Sequence, residues 1–243
     1  MAELLQTTLC YLEQNGCYLM LHRIKKKNDV NHDKWIGVGG KFDPGETAEA
    51  CAMREVWEET GLTMQSPAYR GIVDFTCEPW PAERMHLYTC TDFTGTLTDC
   101  NEGTLEWVPK PEVENLPIWQ GDKIFLRLLA EGAPFFHLEL TYHGDTLVQA
   151  VCSMDGKVVE AVLYPGNKGL QAEGLSLSAS APCAVLIREE AGEIVVSVTD
   201  ACMNAALKGI RIVLNGREIK VPMPQRMFCG KPGVIRVDRM TNQ

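Results

Sequence analysis

The sequence predicts an α+β fold followed by a small region that is mostly β. Three observations support this expectation. A run of strong helix formers without Gly or Pro extends from Ala48 to Thr60. Strand-like segments with a tight-turn signal precede that run. After Ser153, short segments rich in β-branched residues and separated by turn residues dominate. We therefore expect two domains, residues 1–153 and residues 154–243.

The first predicted element is a β-hairpin near the N-terminus. A strand with the sequence TTLCYL includes Thr8 and Leu9, and the segment CYLMLHR is its partner. Between them, Gln14, Asn15 and Gly16 provide an Asn-Gly turn, which is a strong hairpin signal because both residues adopt positive φ readily. An antiparallel pair is expected here.

The next element is the helix from Ala48 to Thr60. The turn-forming cluster Asp43-Pro44-Gly45 precedes it, and Thr47 is placed to cap its first turn. Gly61 supplies the left-handed residue that commonly ends a helix. Its packing side is expected to contain Ala52, Val56 and Trp57.

Three glutamates of this helix share one face. Glu55, Glu58 and Glu59 stand at positions i, i+3 and i+4, which are neighbours on a helix surface. We expect Arg54 to point about 100° away from Glu55, leaving the carboxylates to repel one another. A divalent cation would relieve that repulsion. Ligands that are all oxygen favour Mg²⁺, with Mn²⁺ as a second possibility, and Mg²⁺ usually completes its shell with waters and substrate phosphates.

A glycine-rich loop precedes the helix. Residues 37–41 read GVGGK, so the backbone can approach a ligand closely and Lys41 adds a cation. Beside a carboxylate face, this loop indicates a phosphate-containing substrate.

The segment from Gly40 to Leu62 also carries a family signature. It reads GKFDPGETAEACAMREVWEETGL and matches the pattern G-x5-E-x7-R-E-U-x-E-E-x-G-U, with U aliphatic, at every specified position. The chain resembles the Nudix hydrolases, and among them the MutT-like oxidised purine nucleoside triphosphatases, over about residues 5–150. Residues 35–41 (WIGVGGK) and 116–122 (LPIWQGD) resemble further segments of that subgroup. The resemblance implies an α/β/α sandwich with a mixed sheet.

The resemblance also implies roles for individual residues. The metal ligands, which are also the catalytic candidates, would be Glu55, Glu58, Glu59 and Glu102, with the Gly39 carbonyl as a further metal ligand. The residues in contact with a nucleotide substrate would be Thr8, Arg23, Gly39, Gly40, Lys41, Trp119 and Asp122. Of these, Trp119 would cover one face of the base and Asp122 would bind its edge. The alternative for Trp119 is a plain core residue.

The implied chemistry is attack of water on a phosphorus of a nucleoside diphosphate derivative. A triphosphate would give a nucleoside monophosphate and pyrophosphate. Glu59, Glu55 and Glu102 are alternative general bases. Glu46 and Arg54 are expected to brace the loop against the helix through a charge-assisted pair.

Two positions depart from the oxidised-purine pattern, because Ile36 replaces an asparagine and Gly121 replaces the first of two paired aspartates. Both changes remove polar contacts to the base edge. Two alternatives to oxidised-triphosphate hydrolysis stay open: hydrolysis of another derivative, such as ADP-ribose or a dinucleoside polyphosphate, and a non-catalytic nucleotide sensor.

Composition limits the classes of partner. The 243 residues carry a net charge of −9, and residues 1–154 hold 12 Lys and Arg against 23 Asp and Glu. An acidic catalytic half argues against binding of a nucleic-acid polymer. Ten cysteines without a C-x-x-C pair are typical of a reducing compartment. With no signal-peptide pattern and no long apolar run, we expect a cytoplasmic protein without a membrane partner.

The C-terminal region is predicted to be a small β-sandwich. Strands at residues 184–187 and 193–198 flank a turn at 190–192, and Asn215-Gly216 joins two more. Residues 233–237 form the last predicted strand. The segment EIVVSVTD resembles the C-terminal β-sandwich domains of polysaccharide lyases. A structural or docking role is expected, with binding of a protein or a carbohydrate as the alternative.

Overall fold

The computed structural model describes residues 4–26, 28–164, 169–180, 183–190, 193–200, 210–220 and 233–237. Contacts divide the chain into two compact units, Met1–Phe135 and Phe136–Gln243. This division falls earlier than residue 153, where the sequence predicted the domain boundary. The reason is that the strand Thr146–Met154 pairs on one side with Phe136–His143 and on the other with Lys157–Leu163.

The first unit contains strands, two α-helices and a 3₁₀ helix. In chain order they are β1 Leu5–Gln14, β2 Cys17–His22, β3 Trp35–Ile36, α1 Ala48–Thr60, β4 Leu62–Met64, β5 Ala68–Glu78, β6 Glu83–Cys90, β7 Phe93–Gly95, β8 Thr104–Pro109, the 3₁₀ helix Lys110–Asn115 and α2 Asp122–Ala130.

The main sheet of this unit is mixed. Its order is β5-β6-β1-β2-β3, and β8 also pairs with β2. β1 runs parallel to β6, with Leu9 opposite Leu87, whereas the β1–β2 and β5–β6 pairs are antiparallel. The α+β class, the mixed sheet and the N-terminal hairpin are therefore confirmed. β6 was not anticipated from the sequence, yet it lies inside the sheet, between β5 and β1.

Helix α1 begins and ends as predicted. The Thr47 hydroxyl accepts a hydrogen bond from the Ala50 N–H at 3.2 Å, and Gly61 ends the helix with a φ of 74°. Ala52 and Val56 are fully buried against the sheet, in a cluster that includes Leu12, Leu19 and Val38. Burial of this apolar side fixes the orientation of the helix.

The predicted packing of Trp57 is wrong, because its side chain is 60% exposed. Trp57 follows the buried Val56 by one residue and is therefore rotated about 100° away from the core side of α1.

The second unit is built of strands. They are β9 Phe136–His143, β10 Thr146–Met154, β11 Lys157–Leu163, β12 Gly169–Ala172, β13 Leu175–Ala179, β14 Cys183–Glu190, β15 Glu193–Asp200, β16 Ile210–Leu214, β17 Arg217–Lys220 and β18 Gly233–Val237.

These strands form two layers, with the orders β18-β15-β14-β11-β10-β9 and β12-β13-β16-β17. One buried cluster contains Val151 and Ile187 from the first layer and Leu177 and Ile212 from the second, as in a β-sandwich. The predicted hairpin turn at Asn215-Gly216 is confirmed, with φ values of 49° and 79°. Part of the turn predicted at residues 190–192 lies outside the described residues.

No helix within the described ranges is long and apolar enough to cross a membrane.

Candidate active site

The glycine loop lies directly on β1 and on helix α1. A Cβ on Gly39 would be 2.1 Å from the Thr8 carbonyl oxygen, and one on Gly40 would be 2.4 Å from Cδ of Glu55. The Thr8 N–H donates to the Gly40 carbonyl at 2.8 Å, which fixes the loop to the strand. Glycine is needed at both positions because any side chain would displace the backbone or the carboxyl group behind it.

Glu59 is the most buried acid of the helix, with 8% of its surface exposed. Its Oε2 accepts a hydrogen bond from the Gly39 N–H at 3.2 Å. Burial, together with the nearby Glu102 and Glu55 carboxylates, raises the pKa of Glu59 to about 8, against the lowering effects of the Gly39 N–H and Arg23. Burial also raises the pKa of Glu55. These two acids therefore lie close together in a region where negative charge is costly.

The expectation that Arg54 points away from Glu55 is wrong. Its Nη1 donates to Glu55 Oε1 at 2.8 Å and to Glu58 Oε2 at 3.3 Å. The long side chain folds back along the helix, so the position of its Cα does not determine where the guanidinium lies. Arg54 thus neutralises part of the carboxylate face, and Glu58, whose side chain is half exposed, lies at its outer edge.

The predicted brace between Glu46 and Arg54 is present. Arg54 Nε and Nη2 donate to the two carboxylate oxygens of Glu46, each at 2.9 Å, and Nη2 also donates to the Lys41 carbonyl at 2.9 Å. These hydrogen bonds hold the pKa of Glu46 down at about 2. The guanidinium therefore ties the glycine loop, the turn before α1 and the helix together.

Glu102 reaches the same region from the loop before β8. Arg23 and Lys26 both donate to its carboxylate. Arg23 is also held by Asp29, with Nε donating to Oδ2 at 2.8 Å. In this arrangement the predicted phosphate-binding cation Arg23 and the predicted metal ligand Glu102 bind each other.

Within the described residues, no three His, Cys, Asp or Glu side chains are already arranged to hold a metal ion. The ion pairs explain this, because Arg54 holds Glu55 and Glu58 while Arg23 and Lys26 hold Glu102. The donors are nonetheless all oxygens, and the buried Glu59 has no cation in direct contact among the described residues. This donor set fits Mg²⁺, and rotation of Glu55 and Glu102 would release them from their cations.

A cleft begins beside the glycine loop. Its walls include the predicted substrate residues Thr8, Arg23, Gly39, Gly40 and Lys41, which the fold brings together at one cavity. A second cavity continues it and contains Trp119 and Asp122, the two predicted base-binding residues. The cavities share a wall formed by Leu9, Val30, Asn31, Ile36, Glu83 and Met85.

Trp119 forms the far end of the cleft, and only 4% of its surface is exposed. Its indole Nε1 donates to Asn31 Oδ1 at 2.8 Å, and its ring packs edge-on against Phe75 with centroids 5.3 Å apart. The Lys34 ammonium lies 4.9 Å from the centre of the ring. Trp119 is thus both a core residue and part of the cleft wall, and its contact with a base stays a prediction.

Asp122 is the first residue of α2, and it is buried beside Trp119. Burial raises its pKa to about 8, although Lys34 and the Trp119 backbone favour the ionised form. The group is therefore mostly protonated at neutral pH and can donate a hydrogen bond to a carbonyl oxygen. Gly121, which precedes it, provides no side-chain cap to the helix.

Sequence reasoning missed several wall residues, among them Asn31, Phe75, Glu83 and Met85. They lie on a loop and on β5 and β6, outside the segments that carry motifs. Alternation of side chains between the two faces of β5 and β6 was the signal available in the sequence. Which face of these strands lines the cleft becomes clear only from the parallel pairing of β1 with β6.

The fold and this site define a Nudix hydrolase. The family model described as "NUDIX domain" matches residues 5–129, which is more than half of the chain, and the protein belongs to this family of enzymes. A second model, the polysaccharide lyase family 8 C-terminal β-sandwich domain, matches residues 145–206.

Relatives place the chain among the MutT-like members. An uncharacterised Nudix hydrolase of Bacillus subtilis is 27% identical over 58% of this chain and 89% of its own length. The oxidized purine nucleoside triphosphate hydrolase of mouse is 29% identical over 45% of this chain and 71% of its own length. The MutT protein structure from Bacillus halodurans aligns with a TM-score of 0.55 at 27% identity, covering 62% of this chain and 98% of that one.

Proposed function

We propose that the protein hydrolyses purine nucleoside triphosphates, including oxidised ones of the 8-oxo-dGTP type, to a nucleoside monophosphate and pyrophosphate with Mg²⁺. The observation that carries this proposal is the continuity of the cleft. It runs from an aromatic end with a carboxylic acid, Trp119 and Asp122, to a glycine loop backed by glutamates. Its two ends thus suit a base and a phosphate chain, respectively.

At the phosphate end, the chain would hold the substrate through the loop at Gly39 and Gly40 and through the cations Arg23 and Lys41. Glu55, Glu58, Glu59 and Glu102, with the Gly39 carbonyl, would hold Mg²⁺ or, alternatively, Mn²⁺. The ion would supply positive charge opposite the phosphate oxygens and make the attacking water more acidic.

Glu59 is the strongest candidate to take the proton from that water. Its pKa of about 8 in the metal-free protein makes its carboxylate more basic than an ordinary one, and the positive charge of the ion would favour the ionised form that accepts a proton. Glu55 and Glu102 remain alternative bases, since both lie close enough to Glu59 to affect its pKa.

A nucleotide panel tests the proposal. Each nucleotide is incubated with Mg²⁺, and pyrophosphate and orthophosphate release are measured separately. Pyrophosphate release from 8-oxo-dGTP above that from dGTP supports clean-up of the oxidised nucleotide pool. Similar activity on both supports a general purine triphosphatase. The activity for which the mouse relative is named favours oxidised purines, whereas Ile36 and Gly121 contribute no polar side chain at the base end.

Two alternatives have their own outcomes in the same panel. Cleavage of ADP-ribose or a dinucleoside polyphosphate in preference to every triphosphate would replace the proposed substrate class. Nucleotide binding without turnover would indicate a sensor. E59Q and E58Q, each expected to lower turnover by orders of magnitude while the protein stays folded, connect any activity to these acids.

For the second unit, Phe136–Gln243, which contains the predicted domain 154–243, we propose a structural or docking role. Its sandwich architecture supports a separate, stably folded unit, and its partner would be a protein or a carbohydrate. Calorimetric titration of the full chain with soluble polysaccharides tests the carbohydrate alternative.

A further inference from the structure

Glu83 carries the one ionisable side chain on the wall shared by the two cavities. The other five shared residues are apolar or, in the case of Asn31, neutral. Glu83 belongs to β6, where side chains alternate between the two faces of the sheet. Met85, two residues along, therefore faces the same way as Glu83, and both line the cleft.

The position of Glu83 is set by its neighbours in the sheet. It is opposite Leu5 on β1 and opposite Phe75 on β5, and both of those residues also line the cleft. Because β6 is hydrogen-bonded to β1 on one side and to β5 on the other, it cannot rotate about its own axis. The carboxyl group is therefore presented to the cleft by rigid elements rather than by a loop.

Among the described residues, no group donates a hydrogen bond to the Glu83 carboxyl group, which is attracted by Lys41 and Arg23 and repelled by Asp29. Burial raises the pKa of Glu83, which means that the folded protein disfavours the ionised form of this side chain. A half-buried acceptor without a protein donor is available to a ligand that brings donors.

The cleft then offers a base two different hydrogen-bonding groups, Asp122 at the base end and Glu83 on the wall shared by the two cavities. Asp122, mostly protonated, can donate to a carbonyl oxygen, whereas Glu83 beside Lys41 and Arg23 can accept. Ile36 and Gly121 contribute no side-chain polar atom. The edge of a guanine carries one carbonyl oxygen, one ring N–H and one amino group, a pattern that one donor and one bidentate acceptor complement.

We propose that Glu83 is a specificity-determining residue that accepts hydrogen bonds from the ring N–H and the exocyclic amino group of a guanine-type base. This inference rests on the proposed nucleotide hydrolysis and deepens it, because it names the edge of the base that is recognised. Glu83 takes the place of the polar contacts that are absent at Ile36 and Gly121.

The test compares dGTP with dITP, which differs only by lacking the amino group. We expect the wild-type protein to favour dGTP by about tenfold or more in kcat/KM, as a charge-assisted hydrogen bond to one amino group provides. E83Q replaces one acceptor oxygen by an NH₂ donor without changing the size of the side chain. It should lower kcat/KM for dGTP by about tenfold or more and lower that for dITP less, so that the preference disappears.

Two further variants make the result specific. E83M, which removes both acceptor oxygens, should abolish the preference as E83Q does. E106Q removes the same charge from an exposed position on β8 and should keep the wild-type ratio. An unchanged dGTP:dITP ratio in E83Q and E83M would overturn the proposal, as would an equal loss on both nucleotides.

A binding measurement separates this inference from the proposed function. Calorimetry with dGMP and dIMP reports recognition of the base without any turnover. If the wild-type protein hydrolyses no triphosphate but binds dGMP more tightly than dIMP, and E83Q removes that difference, the hydrolytic function fails and the role of Glu83 stands. Equal binding of dGMP and dIMP by the wild-type protein would refute the role of Glu83.

Discussion

Gly40 lies against the carboxyl group of Glu55, such that a Cβ on Gly40 would be 2.4 Å from Cδ and 2.5 Å from both carboxylate oxygens. The glycine thus lets the glycine loop and the acidic face of α1 meet in direct contact. At Gly39 the neighbour is different, because a Cβ there would be 2.1 Å from the Thr8 carbonyl oxygen. Gly40 thus leaves room for the Glu55 side chain, and Gly39 leaves room for the Thr8 backbone.

The two Gly→Ala variants should therefore fail in different ways. In G40A the flexible Glu55 side chain can move, so we expect an unfolding free energy within about 1 kcal/mol of wild type and a kcat at least roughly tenfold lower. In G39A backbone must move, and a destabilisation of about 3 kcal/mol or more is expected. Urea denaturation and steady-state kinetics on both variants check this. A G40A protein as unstable as G39A would contradict the distinction.

Arg54 and Glu46 should show strong energetic coupling, because two hydrogen bonds of 2.9 Å join their side chains and the partly buried guanidinium also holds the Lys41 carbonyl. A double-mutant cycle of R54Q and E46Q, followed by urea denaturation, is expected to give a coupling of about 1–3 kcal/mol.

The exposed i,i+4 pair of Arg127 and Glu131 is a matched control, in which Arg127 Nη1 donates to Glu131 Oε2 at 3.1 Å. Its coupling should not exceed about 0.5 kcal/mol. Equal coupling in the two cycles would show that the Arg54–Glu46 pair is an ordinary surface ion pair.

The elements that the sequence predicted well are those specified locally. Thr47 and Gly61 set the ends of α1, and Asn215-Gly216 set a hairpin, because capping and positive φ depend on a few neighbouring residues. The family resemblance was equally local, since it rested on one continuous segment of the chain.

What the sequence could not predict depends on long-range pairing or on side-chain conformation. Glu83 reaches the cleft only because β6 runs parallel to β1, a contact between residues far apart in the chain. The Arg54 guanidinium bonds to Glu55 although helical spacing placed the two residues about 100° apart, because a long side chain is not confined to the direction of its Cα–Cβ bond. Periodicity describes backbone positions, and the chemistry of the site depends on the ends of side chains.

Asp122 should make stability depend on pH. Its pKa is raised to about 8 in the folded protein, well above the value of about 3.9 in an unfolded chain. The folded state therefore binds more protons between these values, and the unfolding free energy should fall as pH rises from about 4 to 8. In D122N the side chain stays neutral, so this part of the decrease, on the order of a few kcal/mol, should be absent.

Urea denaturation of wild type and D122N at pH 5 and pH 8 measures this difference, with D122N gaining stability relative to wild type at the higher pH. D145N, at an exposed turn position of the second unit, serves as the control and should follow wild type. Parallel pH profiles for D122N and wild type would show that Asp122 is ionised in the folded protein.

Mg²⁺ should stabilise the wild-type protein against unfolding, and Glu59 should be required for that effect. A ligand that binds only the folded state adds about 2.7 kcal/mol at one hundred times its Kd. In a chelator, E59Q should be more stable than wild type at pH 8, because a carboxyl group whose pKa is raised to about 8 lowers stability as pH rises towards that value. With Mg²⁺ added, the order of stability should reverse, since E59Q loses a ligand that the buried site needs.

Thermal unfolding of both proteins with and without Mg²⁺ measures this, with the exposed E49Q on the same helix as the control. If Mg²⁺ raised the Tm of E59Q and of wild type equally, the ion would bind elsewhere and the glutamates of α1 would have no part in holding it.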